Sequence, residues 1–147
     1  MIVWRISNHQ ALDGTGGLLA SARWHTKGHP VIYAAEHPGT AQLEWLANLE
    51  VQPSELPSEI PFMKIEVPDD VAVAEIVAGD LPTDWREKRQ ITQTIGDDWL
   101  AGGTSLVVFV PSAVVPARNV LINPGHGDFE RITNVQSLVF PFDYRLR

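Results

Sequence analysis

Four polar side chains have the types and spacing to do chemistry. Arg23 and Tyr33 stand ten residues apart in SARWHTKGHPVIYAAE (residues 21–36), Glu44 follows in TAQLEWL, and Ser112 closes LVVFVPS. A guanidinium is a planar fork of donors that fits phosphate oxygens, and nearby glycine N–H groups can complete an anion pocket. Beside Trp24 the same arginine suits simple surface stacking on an indole. Tyr33 in VIYAA reads either as a half-buried strand residue or as a flat face for a heteroaromatic ring. A carboxylate between Leu43, Trp45 and Leu46 is slightly unusual company for a charge, although a solvated helix face accounts for it. Ser112, after a proline at a strand end, is by default a turn-stabilising hydroxyl. Lys27, His25 and His29 add positive character around Arg23, tuning the local potential or facing water.

Charge is placed unevenly along the 147 residues, which carry a net −7. Residues 1–43 hold Arg5, Arg23 and Lys27 against Asp13 and Glu36, a net +1, while the other 8 basic and 16 acidic groups leave −8 in the remainder. An anionic small molecule fits the opening third, but a polyanion finds little else to hold it, so direct nucleic-acid binding is not expected. The chain has no cysteine, which removes disulfides, thiolate zinc sites and a thiol nucleophile. Its five histidines show no ligand pair on a helix, and no metal is expected. No apolar run reaches the roughly 18 residues of a membrane span, and no basic start followed by an apolar stretch marks a secretory signal. A cytoplasmic location is expected. The phosphate-loop, dinucleotide-fingerprint and GxSxG patterns are all missing.

The elements that must position these residues follow from periodicity and punctuation. IVWRI at 2–6 alternates well enough for a first strand, and Asp13–Gly17 reads as a glycine loop with no helix behind it. Gly28-His29-Pro30 turns into the buried strand of residues 31–35, so 23–35 reads as a hairpin. A helix starts at Pro38-Gly39-Thr40, with Thr40 as cap and Leu43, Leu46, Ala47 and Leu49 on its apolar face. The prolines of VQPSELPSEIPF (51–62) read as loop. Strands are expected over 63–67, 71–76, 105–110 and 119–123, with one more from the tail, and a second helix over 94–101 stopped by Gly102-Gly103. No repeat or linker divides the chain. These assignments describe one compact α+β domain over 1–147, with several short strands and two or three helices.

Taken in order, WRI (4–6), GTGGLLASARWHTKG (14–28), VIYAAE (31–36), TAQLEWL (40–46), TQTIGDDWL (92–100), LVVFVPSAVVP (106–116) and NVLINPGH (119–126) carry a resemblance. The chain resembles the RES-domain family, named for an arginine, a glutamate and a serine, which supplies toxins of bacterial toxin–antitoxin pairs. The resemblance covers almost the whole chain. It implies a fold similar to that of ADP-ribosyltransferase toxins and breakdown of NAD⁺ as substrate, by hydrolysis or phosphorolysis, with no prosthetic group.

The resemblance carries the family arginine onto Arg23, the strand tyrosine onto Tyr33, the glutamate onto Glu44 and the serine onto Ser112, and Arg5 matches a basic position in the first strand. The sequence departs from the family at LLASARW, where relatives approach the arginine through more glycine. Cleaving the nicotinamide–ribose bond builds positive charge on the sugar, and the leaving group is already cationic, so one carboxylate suffices without a second acid. Glu44 suits that role, Arg23 and Arg5 the pyrophosphate, Tyr33 the nicotinamide ring, and Ser112 the ribose or the orientation of Glu44. The family also implies a cognate helix-turn-helix antitoxin through which any DNA contact would come. A homodimer is compatible with the sequence. The alternatives are an ADP-ribosyltransferase acting on a protein and a non-catalytic interaction domain that keeps the fold.

Overall fold

The computed structural model describes residues 1–146. Seven strands form one sheet: β1 (Ile2–Ile6), β2 (Ile32–Ala35), β3 (Glu59–Glu66), β4 (Val73–Glu75), β5 (Val107–Pro111), β6 (Arg118–Ile122) and β7 (Asn134–Pro141). Three helices accompany them, α1 (Thr15–Leu19), α2 (Pro38–Ala47) and α3 (Arg89–Gly102). The strand order is β4-β5-β6-β2-β1-β3-β7, antiparallel throughout except for the β4–β5 pair. The expected α+β class holds. No helix among the described residues is long and apolar enough to cross a membrane.

Strand alternation divides the core between the two faces of this sheet. Val3, Ile32, Ala34, Met63, Ile65, Val107, Val120 and Ile122 pack on one face, covered by Val67, Val71, Leu106 and half-buried Phe129 and Ile132. The opposite face carries two separate clusters. Val108, Val110 and Leu121 lie beneath Trp24, Trp85 and the Ile95 and Trp99 side of α3. Ile60 and Phe62, with Trp4 and Ile6, lie beneath Trp45 and Leu46 of α2. Between these clusters the middle strands are left with a gap.

Several local expectations change in the fold. Gly14–Gly17 is not a plain loop: Gly14 adopts φ 75° and starts α1, and the Asp13 carboxylate accepts the Thr15 N–H and hydroxyl. A side chain at Gly14 would also meet the Val31 backbone nitrogen at 2.8 Å, so the turn needs glycine on both counts. Residues 23–35 do not form a hairpin, because β2 pairs with β1 and β6 on its two sides and leaves no free edge for residues 22–25, which close only a local Ala22–His25 bridge. His37 caps α2 in place of Thr40: its Nδ1 accepts the Gly39 N–H at 3.0 Å and Pro38 occupies the first helical position. The same helix turns Ala41, Trp45 and Leu46 inward and leaves Leu43 exposed, since its packing partner is the Phe142 end of the sheet.

Strand β3 begins at Glu59 despite Pro61, whose carbonyl accepts the Ser7 N–H. β4 shortens to Val73–Glu75. Helix α3 begins at Arg89 rather than Thr94 and ends where Gly103 takes φ 61°, the expected glycine stop.

Candidate active site

The gap on the sheet is a cleft of about 820 Å³, floored by Trp4, Tyr33, Ala35 and Asn119. Register explains the floor, because Asn119 lies opposite Val110 on β5 and Ala35 on β2, and Ala35 lies opposite Trp4 on β1. One wall is α2, which contributes Glu44, and the other is the Arg23–Trp24 turn with Arg89 at the start of α3. Arg23 and Glu44, 21 positions apart in sequence, therefore border the same cavity.

Helix α3 locks the Arg23 turn from behind. The Arg23 carbonyl accepts the Thr92 hydroxyl at 2.6 Å, the Ala22 carbonyl accepts Gln93 Nε2 at 2.9 Å, and Thr26 donates its N–H and hydroxyl to Asp97. Gly96 permits this approach, since a Cβ there would sit 1.6 Å from the Trp24 carbonyl oxygen. The Arg23 side chain donates from Nη1 to the Arg86 carbonyl at 3.0 Å and lies 5.6 Å from the Trp85 ring centroid. Stacking on Trp24 is thus replaced by stacking on Trp85, because Trp24 is buried against Trp85. Burial lowers the Arg23 pKa, the neighbouring Arg89 charge lowers it further, and Glu44 opposes both. Two guanidiniums crowd one rim of an open cleft, a field that favours an anion between them.

His25 does not face water as its polar type suggests; it is buried at 2% exposure. Its Nε2 faces the carbonyls of Gly17 (3.2 Å) and Ala20 (2.9 Å), so that nitrogen carries the hydrogen. Its Nδ1 then accepts from the Tyr33 hydroxyl at 2.7 Å, and the Tyr33 oxygen accepts the Trp24 N–H at 3.2 Å. The hydroxyl proton is committed to a protein partner, and the aromatic ring is what Tyr33 offers the cleft. Burial raises the Tyr33 pKa well above the ordinary phenol value, with the Trp24 N–H only partly offsetting it. Lys27 is exposed, and His29 stands 4.0 Å from Asp97.

Half-buried Glu44 is held at a single oxygen. Ser112 Oγ donates to Oε1 at 2.5 Å, and Asn119 Nδ2 donates to the same atom at 2.7 Å. Ser112 Oγ in turn accepts the Val114 and Val115 N–H groups. Ser112 Oγ thus closes the turn at Val114 and Val115 and at the same time donates to Glu44.

Arg5 behaves differently. It borders the cleft, yet alternation along β1 puts its side chain on the Val3 face, away from Trp4 and Ile6. Its charged neighbour is Asp13, not Glu44, its Nη1 is buried without a hydrogen-bond partner, and burial lowers its pKa. Arg23, Tyr33 and Glu44 line one cleft, buried Ser112 is joined to them through its hydrogen bond to Glu44, and Arg5 borders the cleft with its side chain on the other face of the sheet. Two cleft residues escape a reading of the sequence, Asn119 and Arg89. WREKR at 85–89 is a basic run that could have flagged Arg89, whereas nothing local marks the asparagine that opens NVLIN.

Comparison with known proteins agrees with this architecture. The RES domain family model matches residues 2–143. "Toxin Res" of Pseudomonas putida is 43% identical over 86% of this chain and 86% of its own. "Toxin Res" of Yersinia enterocolitica is 36% identical over the whole of both chains. The "Prs ADP-ribosylating toxin" of Sphingobium sp. is 33% identical over 88% of this chain and 86% of its own. In three dimensions the fold is similar to a chain of the crystal structure of the M. tuberculosis MbcT–MbcA toxin–antitoxin complex. That likeness has a TM-score of 0.73 at 19% identity, over 99% of this chain and 85% of that one. On the family match and these identities, the chain belongs to the RES-domain family.

Proposed function

We propose that this protein is the toxin of a toxin–antitoxin pair and acts by breaking the nicotinamide–ribose bond of NAD⁺. The observation that carries the reading is the shared cleft, with the Glu44 carboxylate on one wall and the Arg23 guanidinium on the other. Arg23, assisted by Arg89, takes the pyrophosphate, and the Tyr33 ring receives the nicotinamide. As the glycosidic bond lengthens, positive charge grows on the ribose and the Glu44 carboxylate stabilises it. Nicotinamide leaves as a neutral molecule, so no acid has to protonate it. The acceptor is water or inorganic phosphate. The names of the Pseudomonas and Yersinia relatives support the toxin assignment.

A protein acceptor is the second reading, favoured by the ADP-ribosylating toxin among the relatives. Incubating the purified protein with NAD⁺, with and without phosphate and with a cell extract, separates the outcomes. Free nicotinamide with ADP-ribose or its phosphorylated form supports NAD⁺ destruction. ADP-ribose found only on protein supports transfer, and no nicotinamide at all sinks both.

An enzyme that drains NAD⁺ in the cytoplasm requires restraint, so a cognate antitoxin belongs to this reading. We expect a helix-turn-helix antitoxin that supplies the DNA contact. A toxin–antitoxin complex as structural neighbour supports the existence of such a partner. Co-expression and purification of the tagged protein with its neighbouring gene product is the check.

A further inference from the structure

We propose that Asn119 is a positioning residue that selects which oxygen of Glu44 meets the substrate, and that the fold keeps it at the expense of stability. The inference rests on the reading of Glu44 as the group facing the ribosyl cation. Ser112 Oγ and Asn119 Nδ2 converge on Oε1, and no donor among the described residues reaches Oε2. Neither donor is free to wander. The Ser112 oxygen already accepts two backbone N–H groups, so its only proton goes to Glu44. Asn119 stands on β6, paired on both sides by β5 and β2. With Oε1 tied down, rotation of the carboxylate is blocked and Oε2 is presented to the cleft.

The orientation of the Asn119 amide is forced as well. Turning it over would set its carbonyl against the Glu44 carboxylate, so Nδ2 must face Glu44 and Oδ1 must face away. Oδ1 is then buried with no hydrogen-bond partner. A buried acceptor left unpaired is destabilising, and an apolar residue of the same shape would not suffer it. The positions beside it in register, Val110 and Ala35, are apolar, so a leucine would continue the row. A polar residue that weakens an apolar row while orienting a carboxylate is explained by function and not by folding.

The test is Asn119→Leu, measured for melting temperature and for kcat and KM of nicotinamide release, alone and combined with Glu44→Gln. The expected melting temperature is equal to or above that of the wild type. The expected kcat is lower by on the order of 10–100-fold, the size of loss when the partner that orients a metal-ligating side chain is removed, carried over to a carboxylate oriented in the same way. KM should change much less than kcat, because the residues assigned to grip the dinucleotide, Arg23, Arg89 and Tyr33, are unaltered. In the Glu44→Gln background the second substitution should have no further effect on kcat, since it acts only through that carboxylate. Wild-type turnover by Asn119→Leu overturns the proposal, and so does a marked fall in melting temperature, which would make Asn119 a structural residue. Independent, additive losses in the double variant also overturn it. A wild-type protein that releases no nicotinamide removes the parent reading together with this one, whereas the results above remove this one alone.

Discussion

Glu44→Gln is the perturbation that tests the chemistry most directly. The amide is nearly the same shape as the carboxylate, and its one carbonyl oxygen can replace Oε1 as acceptor for both Ser112 and Asn119. The fold should therefore survive. The two hydrogen bonds become neutral instead of charge-assisted, a loss of about 1 kcal/mol each, partly offset because no charge is now desolvated. For a chain of this length that lowers the melting temperature by no more than about 8 °C. The catalytic loss is larger. A unit charge about 4 Å from a nascent cation, at an effective dielectric of about 20, contributes about 4 kcal/mol. Glutamine puts an N–H₂ group where the free oxygen stood, so nearly all of that is forfeited. The expected fall in kcat is about 10²–10³-fold, the range for loss of one well-placed electrostatic group. The assay is nicotinamide release at saturating NAD⁺, with circular dichroism and thermal melting to certify folding. A folded Glu44→Gln protein that works at the wild-type rate would refute the electrostatic role and the placement of the site.

Arg23→Ala should weaken NAD⁺ binding at least about tenfold by calorimetry, the worth of one charged hydrogen bond. Arg118→Ala should not, because Arg118 pairs with Glu36 and Glu75 at the surface; equal dissociation constants for the two would refute the phosphate role. Gly96→Ala should destabilise the fold by about 3 kcal/mol or more in urea titration, as its Cβ collides with backbone that α3 itself fixes. An unchanged midpoint would mean that α3 does not brace the Arg23 turn. Tyr33 is protonated in the fold beyond the pH at which a free tyrosine ionises, so the folded state holds the extra proton and stability falls as pH rises above about 10. The slope is at most about 1.4 kcal/mol per pH unit. Tyr33→Phe should flatten it in melting curves taken from pH 9 to 11, while leaving the His25 Nδ1 and the Trp24 N–H without their partner.

The sequence by itself determined the class of the fold and the residue types of the site. The alternation in IVWRI and the β-branched run before Ser112 set strands, and Gly102-Gly103 stopped a helix where expected, because these signals are local. The ordered set of Arg23, Tyr33, Glu44 and Ser112 was legible through the resemblance to the RES-domain family, since taken singly each residue has an ordinary structural reading. Local signals failed where a distant partner outweighed propensity. Pro61 lies inside β3 because β7 pairs with it through Val139 while the register with β1 ends at Phe62, so its missing N–H costs no ladder bond to β1, and α2 turns Trp45 rather than Leu43 inward because Phe142 waits there. Only the tertiary structure decided which polar groups meet. Asn119 reaches Glu44 across 75 positions, His25 is buried by carbonyls from the α1 segment, and the pleat of β1 sends Arg5 to the far face. Hydrogen bonds between side chains depend on a few ångströms of approach, and that distance is set by how helices and strands pack, which no local pattern records.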